Sequence, residues 1–147
     1  ARARFPVHVP FQLRVSDLDT QAHVNNVSAL RILEEGRGAF FREADVYGHL
    51  GGAGLMLAGL IVEYASEMHY PGTVEVFTGV RGIGRKSVTL AQMAVHEGRA
   101  SLFAEVTVVT GKAGKAVEFS AGLRDALGRH LIVDPAAPAV PEGGNQT

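Results

Sequence analysis

Asp17-Leu18-Asp19-Thr20-Gln21-Ala22-His23-Val24-Asn25-Asn26 is a polar stretch set between two segments of different hydrophobic period. Upstream, Val7, Val9, Phe11, Leu13 and Val15 alternate with His8, Pro10, Gln12 and Arg14, the pattern of a half-buried strand. Pro6 and Pro10 lack the N–H that a central strand must donate, which pushes this strand toward a sheet edge. Downstream, Val27, Leu30, Leu33, Phe40, Phe41 and Ala44 recur at helical spacing, and Asn25 or Asn26 is suited to cap the helix. Gly36 and Gly38 interrupt that helix at about 1 kcal/mol each relative to alanine. They make sense where another backbone packs close, as when a sheet wraps the helix.

After a glycine-rich loop at 48–54 the period changes to two. Ala58, Leu60, Val62, Tyr64 and Met68 alternate with Ile61, Glu63, Ala65 and Glu67. Tyr70-Pro71-Gly72 turns the chain into Val74, Val76, Thr78 and Val80. Gly82-Ile83-Gly84 leads to Lys86, Val88, Leu90, Gln92 and Ala94; Glu97-Gly98-Arg99 leads to Ala100, Leu102, Ala104, Val106 and Val108. Residues 111–115 form another turn, and residues 116–129 fit a short strand, a short helix or both. The predicted fold class is α+β: a long antiparallel sheet wrapped around one central helix, because hairpins alone cannot make a core. One domain is expected over 1–133, followed by a Pro-, Ala- and Gly-rich flexible tail over 134–147.

With 147 residues there is no room for two cores. The net charge of -1 argues against nucleic-acid binding by bulk electrostatics. No cysteine is present, which excludes disulfides, thiolate metal sites and cysteine nucleophiles. The start, Ala1-Arg2-Ala3-Arg4-Phe5-Pro6, lacks the apolar core of a signal peptide, and the apolar run at 51–62 is too short to span a membrane. A cytoplasmic protein with no membrane partner is expected.

The polar stretch carries the chemistry. It places Asp19, His23, Asn25 and Asn26 between a strand end and the start of a long helix, whose N-terminus offers unpaired N–H groups and a positive dipole end. Such donors can hold a developing oxyanion, which is often the greatest single contribution to acyl-transfer catalysis. A carboxylate nearby can attack a carbonyl directly or activate a water to do so.

The pattern Phe11-x-Leu13-Arg14-x-x-Asp17-x-Asp19-x-x-x-His23-Val24-Asn25-Asn26, followed by Leu33-Glu34-Glu35-x-Arg37, resembles the hotdog-fold acyl-CoA thioesterases of the 4-hydroxybenzoyl-CoA thioesterase type. The bacterial long-chain acyl-CoA thioesterases and plant-type acyl-ACP thioesterases are similar there. The likeness extends through Tyr70-Pro71-Gly72 and Gly84-x-x-Ser87, over about residues 5–127 by element order. It implies hydrolysis of an acyl-CoA or acyl-ACP thioester to free acid and thiol, in the setting of fatty-acid metabolism, by a homodimer or homotetramer. By that resemblance Asp19 is the catalytic carboxylate and the N–H at or near Asn26 the oxyanion donor, while His23 and Asn25 shape the loop or contact the acyl group. Arg85, Lys86 and Ser87 match the place where the family holds the CoA phosphates. The Tyr that other branches carry near the helix start is missing, which argues against a hydroxybenzoyl substrate.

Other assignments compete. Aspartates are most often turn and cap residues, and Asp17 is read as structural. A metal at Asp-x-Asp lacks a second acidic cluster, so neither metal nor cofactor beyond the substrate's own CoA is expected. His8, His49, His69, His96 and His130 have no ligand-like spacing. Glu34 ranks second to Asp19 as the carboxylate and Glu63 third, with Glu35 a solvated residue or partner of Arg37. Gly79-x-x-x-x-Gly84-Arg85-Lys86-Ser87 nearly spells a nucleotide-binding P-loop, but its lysine is displaced by one and it joins two strands. No Gly-x-Ser-x-Gly nucleophile elbow exists. The alternative function is a non-catalytic acyl-CoA-binding module, a sensor or scaffold, against which the intact Asp19 and His23-Val24-Asn25-Asn26 argue.

Overall fold

A computed structural model describes residues 4–133, so the tail expected at 134–147 lies outside the described residues. Strand β1 (Val7–Gln12) occupies a sheet edge, paired antiparallel to β3 (Thr73–Ile83) from Val7↔Thr78 to Gln12↔Thr73. Alternation predicts a strand as far as Val15, but β3 begins at Thr73 and offers nothing to pair beyond it. Leu13 makes one last bond to the Gly72 carbonyl at 2.9 Å, and Val15–Asp17 coils into a 3-10 turn that leaves Val15 67% exposed.

The long strands β2 (Gly54–Tyr64), β3, β4 (Ser87–His96) and β5 (Arg99–Lys112) complete one antiparallel sheet in the order β1-β3-β4-β5-β2. Strand β2 begins earlier than the alternation predicts, because a register shift between Leu57 and Gly59 changes which side chains face inward. Leu55 packs on the core before the shift, and Leu60 and Val62 after it. Residues 116–129 prove to hold both elements, a short β6 (Lys115–Val117) beside β5 and a helix α2 (Ala121–Gly128) capped by Ser120.

Helix α1 (Asn26–Glu43) lies on the inner sheet face. Its buried stripe is Ser28, Ala29, Ile32, Leu33, Gly36, Arg37 and Phe40, whereas Val27, expected inside, is 77% exposed. The sheet approaches so closely that a Cβ on Gly36 would collide with Val76 Cγ1 and stand 3.3 Å from Gln92 Nε2. The contact is therefore closest at Gly36, with Ile32, Leu33 and Phe40 buried along the same stripe, and Val27 lies off that stripe.

Two polar side chains are clamped in that contact. The Arg37 guanidinium donates to Gln92 Oε1 at 3.1 Å, while Gln92 Nε2 donates to the Leu33 carbonyl and to Thr78 Oγ1, both at 3.0 Å. Burial pulls the Arg37 pKa below its ordinary value, with the nearby Glu34 charge opposing. Arg37 pairs with the sheet and not with Glu35 as expected, because residues two apart on a helix do not face each other. Glu35 instead meets Arg31 at 3.0 Å, one turn earlier. Gln92→Leu would deprive the buried Arg37 guanidinium of its amide acceptor and is expected to cost about 1.5–3 kcal/mol. Arg37→Met with Gln92→Leu removes both partners, so the double variant should be more stable than Gln92→Leu alone. A double-mutant cycle by urea unfolding reads this; simple additivity would show that Arg37 finds water instead.

Candidate active site

The loop from Asp17 to Asn25 folds back on itself. Leu18 bridges Val24, the Asp19 N–H donates to the His23 carbonyl at 2.8 Å, and the Ala22 N–H donates to the Asp19 carbonyl at 3.1 Å. Ala22 takes a left-handed φ of 62°, an uncommon conformation for a residue with a Cβ, held here by those bonds. Asp19 Oδ1 receives the N–H groups of Gln21 at 2.8 Å and His23 at 3.1 Å. Its Oδ2 has no donor among the described residues. One carboxylate oxygen is thus anchored and the other carries no such bond, on an exposed side chain.

The loop hands over to α1 through Asn25. The Asn25 N–H donates to the Asp17 carbonyl at 2.9 Å, and its side-chain Oδ1 accepts from the Ser28 N–H at 2.7 Å. That side chain is the helix cap, so Asn25 shapes the site. Capping satisfies Ser28 and leaves the Asn26 and Val27 N–H groups without an acceptor among the described residues. Anchored carboxylate and free helix N–H groups thus share one junction.

Arg85, Lys86 and Ser87 sit at the turn joining β3 to β4. Arg85 pairs with Glu118 at 2.7 Å, which raises the guanidinium pKa and lowers that of the carboxyl. Lys86 is exposed, and the Ser87 carbonyl accepts the Gly84 N–H at 2.7 Å. The Asp19 loop lies at the Thr73 end of β3 and this turn at the Ile83 end. The 11 residues of β3 span roughly 35 Å, so one chain does not bring the two groups together.

The sequence model described as the thioesterase-like superfamily matches residues 13–127, from just before the loop to the end of α2. The chain belongs to the thioesterase-like superfamily. Solved structures share its hotdog fold. A thioesterase from Thermus thermophilus, complexed with coenzyme A and zinc, is 24% identical, with 84% of this chain and 98% of that one covered at a TM-score of 0.76. A predicted thioesterase from Bacillus stearothermophilus is 23% identical over 84% of this chain and 95% of its own, at a TM-score of 0.77. A gentisyl-coenzyme A thioesterase is 15% identical over 82% of this chain and 99% of its own, at 0.72. Among curated proteins no relative matches.

In this thioesterase-like protein the two aspartates of the loop are physically unlike. Asp17 is 1% exposed and takes the Arg14 N–H at 2.8 Å and the Arg31 guanidinium at 3.0 Å. Burial pushes its pKa up, but the Arg14 N–H and the Arg31 and Arg14 guanidinium groups outweigh burial and hold it below the ordinary value. A lowered folded-state pKa stabilises the fold above the unfolded-state pKa, near 4, and that contribution is lost as pH falls through the folded value. The stability gap between the native protein and Asp17→Asn should therefore narrow below about pH 4. Urea midpoints across that range measure it; a constant gap would remove the ion pair from acid unfolding.

The other carboxylates stand apart. Glu34 is exposed on α1. Glu63 shares the outer sheet face with Phe103, where Ile61, Met93 and Arg81 line a groove on the side away from α1. Sequence reasoning missed Glu67 and His69. Glu67 Oε2 lies 3.4 Å from His23 Nε2, and the two histidine rings meet edge to face at 4.9 Å. Nothing in their spacing could have shown this, since backbone pairing across the loop makes it. Among the described residues no helix is long and apolar enough to cross a membrane.

Proposed function

We propose that this thioesterase-like protein hydrolyses acyl-CoA thioesters, with acyl-ACP the other carrier its chemistry accommodates. The observation that carries the proposal is the Asp19 carboxylate, one oxygen held by two backbone N–H groups, on the loop that opens α1 with its Asn26 N–H unspent. The coenzyme A carried by the Thermus neighbour and the gentisyl-coenzyme A activity named for another support that choice of thiol. In this mechanism the Asn26 N–H takes the thioester carbonyl oxygen. Asp19 Oδ2 draws a proton from water as the water oxygen attacks the carbonyl carbon. The tetrahedral oxyanion then collapses, the C–S bond breaks, and the thiolate leaves with the proton that Asp19 received. Alternatively Asp19 attacks the carbonyl itself, expelling thiolate, and water cleaves the resulting anhydride. His23 and Asn25 serve by holding the loop.

Among the described residues strand β2 is a free edge that exposes Met56, Leu57, Ile61 and Tyr64. Open apolar edges invite pairing with a second chain. Antiparallel pairing of two β2 edges would set the Gly54 end of one chain beside the Tyr64 end of the other. The Gly54 end is the one that carries Arg85, Lys86 and Ser87, and the Tyr64 end the one that carries Asp19. A homodimer of this kind would let the partner's basic turn meet the CoA phosphates, which one chain cannot do. Thiol release from short, long and aromatic acyl-CoAs tests the activity. Turnover lost in a folded Asp19→Asn variant supports hydrolysis, whereas acyl-CoA binding with no turnover of any substrate favours a binding module.

A further inference from the structure

His23, Glu67 and His69 come from two segments far apart in sequence, the loop before α1 and the connection between β2 and β3. The backbone fastens these segments: His23 bridges His69, and the Val24 N–H donates to the Met68 carbonyl at 3.0 Å. The His69 N–H is itself held by the buried His96, at 3.3 Å from its Nε2. Glu67 Oε2 stands 3.4 Å from His23 Nε2 and 3.8 Å from His69 Nε2, and one ligand atom from each residue lies within 4.8 Å of the other two. A tetrahedral ion with bonds of about 2.0–2.1 Å separates its ligand atoms by roughly 3.3–3.4 Å. The His23–Glu67 edge already has that length. The remaining edges lie within 4.8 Å, and the three side chains that would close them are 31%, 64% and 52% exposed.

Two imidazoles and one carboxylate make a donor set for zinc and its late first-row neighbours, not for calcium or magnesium, which seek oxygen ligands. We propose that His23, Glu67 and His69 bind a divalent ion of the zinc class, with water in the fourth position. The ion is a clamp and takes no part in thioester chemistry. Because the His23 N–H also donates to Asp19 Oδ1 at 3.1 Å, an ion on the His23 ring ties the Asp19 loop to the β2–β3 connection.

The test is metal binding by the full chain after dialysis against a chelator. Calorimetric titration with Zn²⁺ should show one saturable site per chain, and Co²⁺ should give the intense visible absorption of a tetrahedral site. His69→Ala and Glu67→Gln should each weaken binding by at least about tenfold while keeping a native circular dichroism spectrum. Zn²⁺ should raise the melting temperature of the native protein and not that of His69→Ala. His49→Ala, remote from the cluster, should bind as the native protein does. Absence of saturable uptake, or uptake unchanged in both His69→Ala and Glu67→Gln, would overturn the proposal. Loss of binding in His49→Ala alone would overturn it as well.

Discussion

Asp19→Asn is expected to lower turnover of the best acyl-CoA substrate by about 10²–10⁴-fold, the range for removing a general base. The substitution is nearly isosteric. The Asn carbonyl oxygen can still accept the Gln21 and His23 N–H groups that hold Oδ1 now, so the loop keeps its shape. What disappears is the basicity and nucleophilicity of the free oxygen. Asp19 is exposed and has no ion pair among the described residues, so stability should change by no more than about 0.5 kcal/mol. KM should hold while kcat falls, because the lost interaction belongs to the transition state. Thiol-release kinetics on the folded variant decide it. Near-native turnover would move suspicion to Glu34, the next carboxylate along the helix.

Asp17 shows why that comparison is informative. Asp17 and Asp19 are two residues apart and chemically identical in the sequence, yet one is sealed under Arg14 and Arg31 and the other is open. Turn chemistry and family resemblance separate them in the sequence, with Asp17 on the structural side. The physical distinction, however, comes from burial and from Arg14 together with Arg31, which reaches Asp17 from the first turns of α1. A long-range partner of this kind leaves no local signature. The same holds for Glu67 and His69, which join His23 only once the β2–β3 connection pairs with the loop.

The sheet was legible because its strands alternate cleanly. Val74, Val76 and Val80 on β3, and Val88, Leu90 and Ala94 on β4, are buried as their period requires. Period fails where packing distance decides instead. Of the apolar residues whose spacing marks one stripe along α1, Leu33, Phe40 and Ala44 are buried but Val27 is exposed, and the closest sheet contact falls at Gly36. Gln92 sits on the inward phase of β4, but alternation does not show that a buried guanidinium on α1 needs it. The bulge near Leu57 likewise shifts the phase of β2 and leaves no reliable residue signal.

Asn26→Pro is expected to lower kcat by about 10²–10³-fold, the usual loss for one oxyanion donor. Asn26 is the first helical residue, where proline's fixed φ fits and its missing N–H breaks no intrahelical bond. The preceding Asn25 already has extended backbone, φ -76° and ψ 161°, as a residue before proline prefers. Helix and cap should therefore survive, and only a donor that the fold itself leaves unused is removed. Asn26→Ala is the matched control: it deletes the side chain, keeps the N–H and should turn over at a near-native rate. The aim of that N–H depends on the seating of α1. Leu33 and Arg37, which Gln92 engages, lie about two and three turns along the same helical stripe as Asn26, so the clamp that fixes the helix on the sheet also fixes its rotation at the junction. If Asn26→Ala loses activity as steeply as Asn26→Pro, the side chain acts and the backbone donor does not. If only the proline variant fails, the helix N-terminus is the oxyanion site.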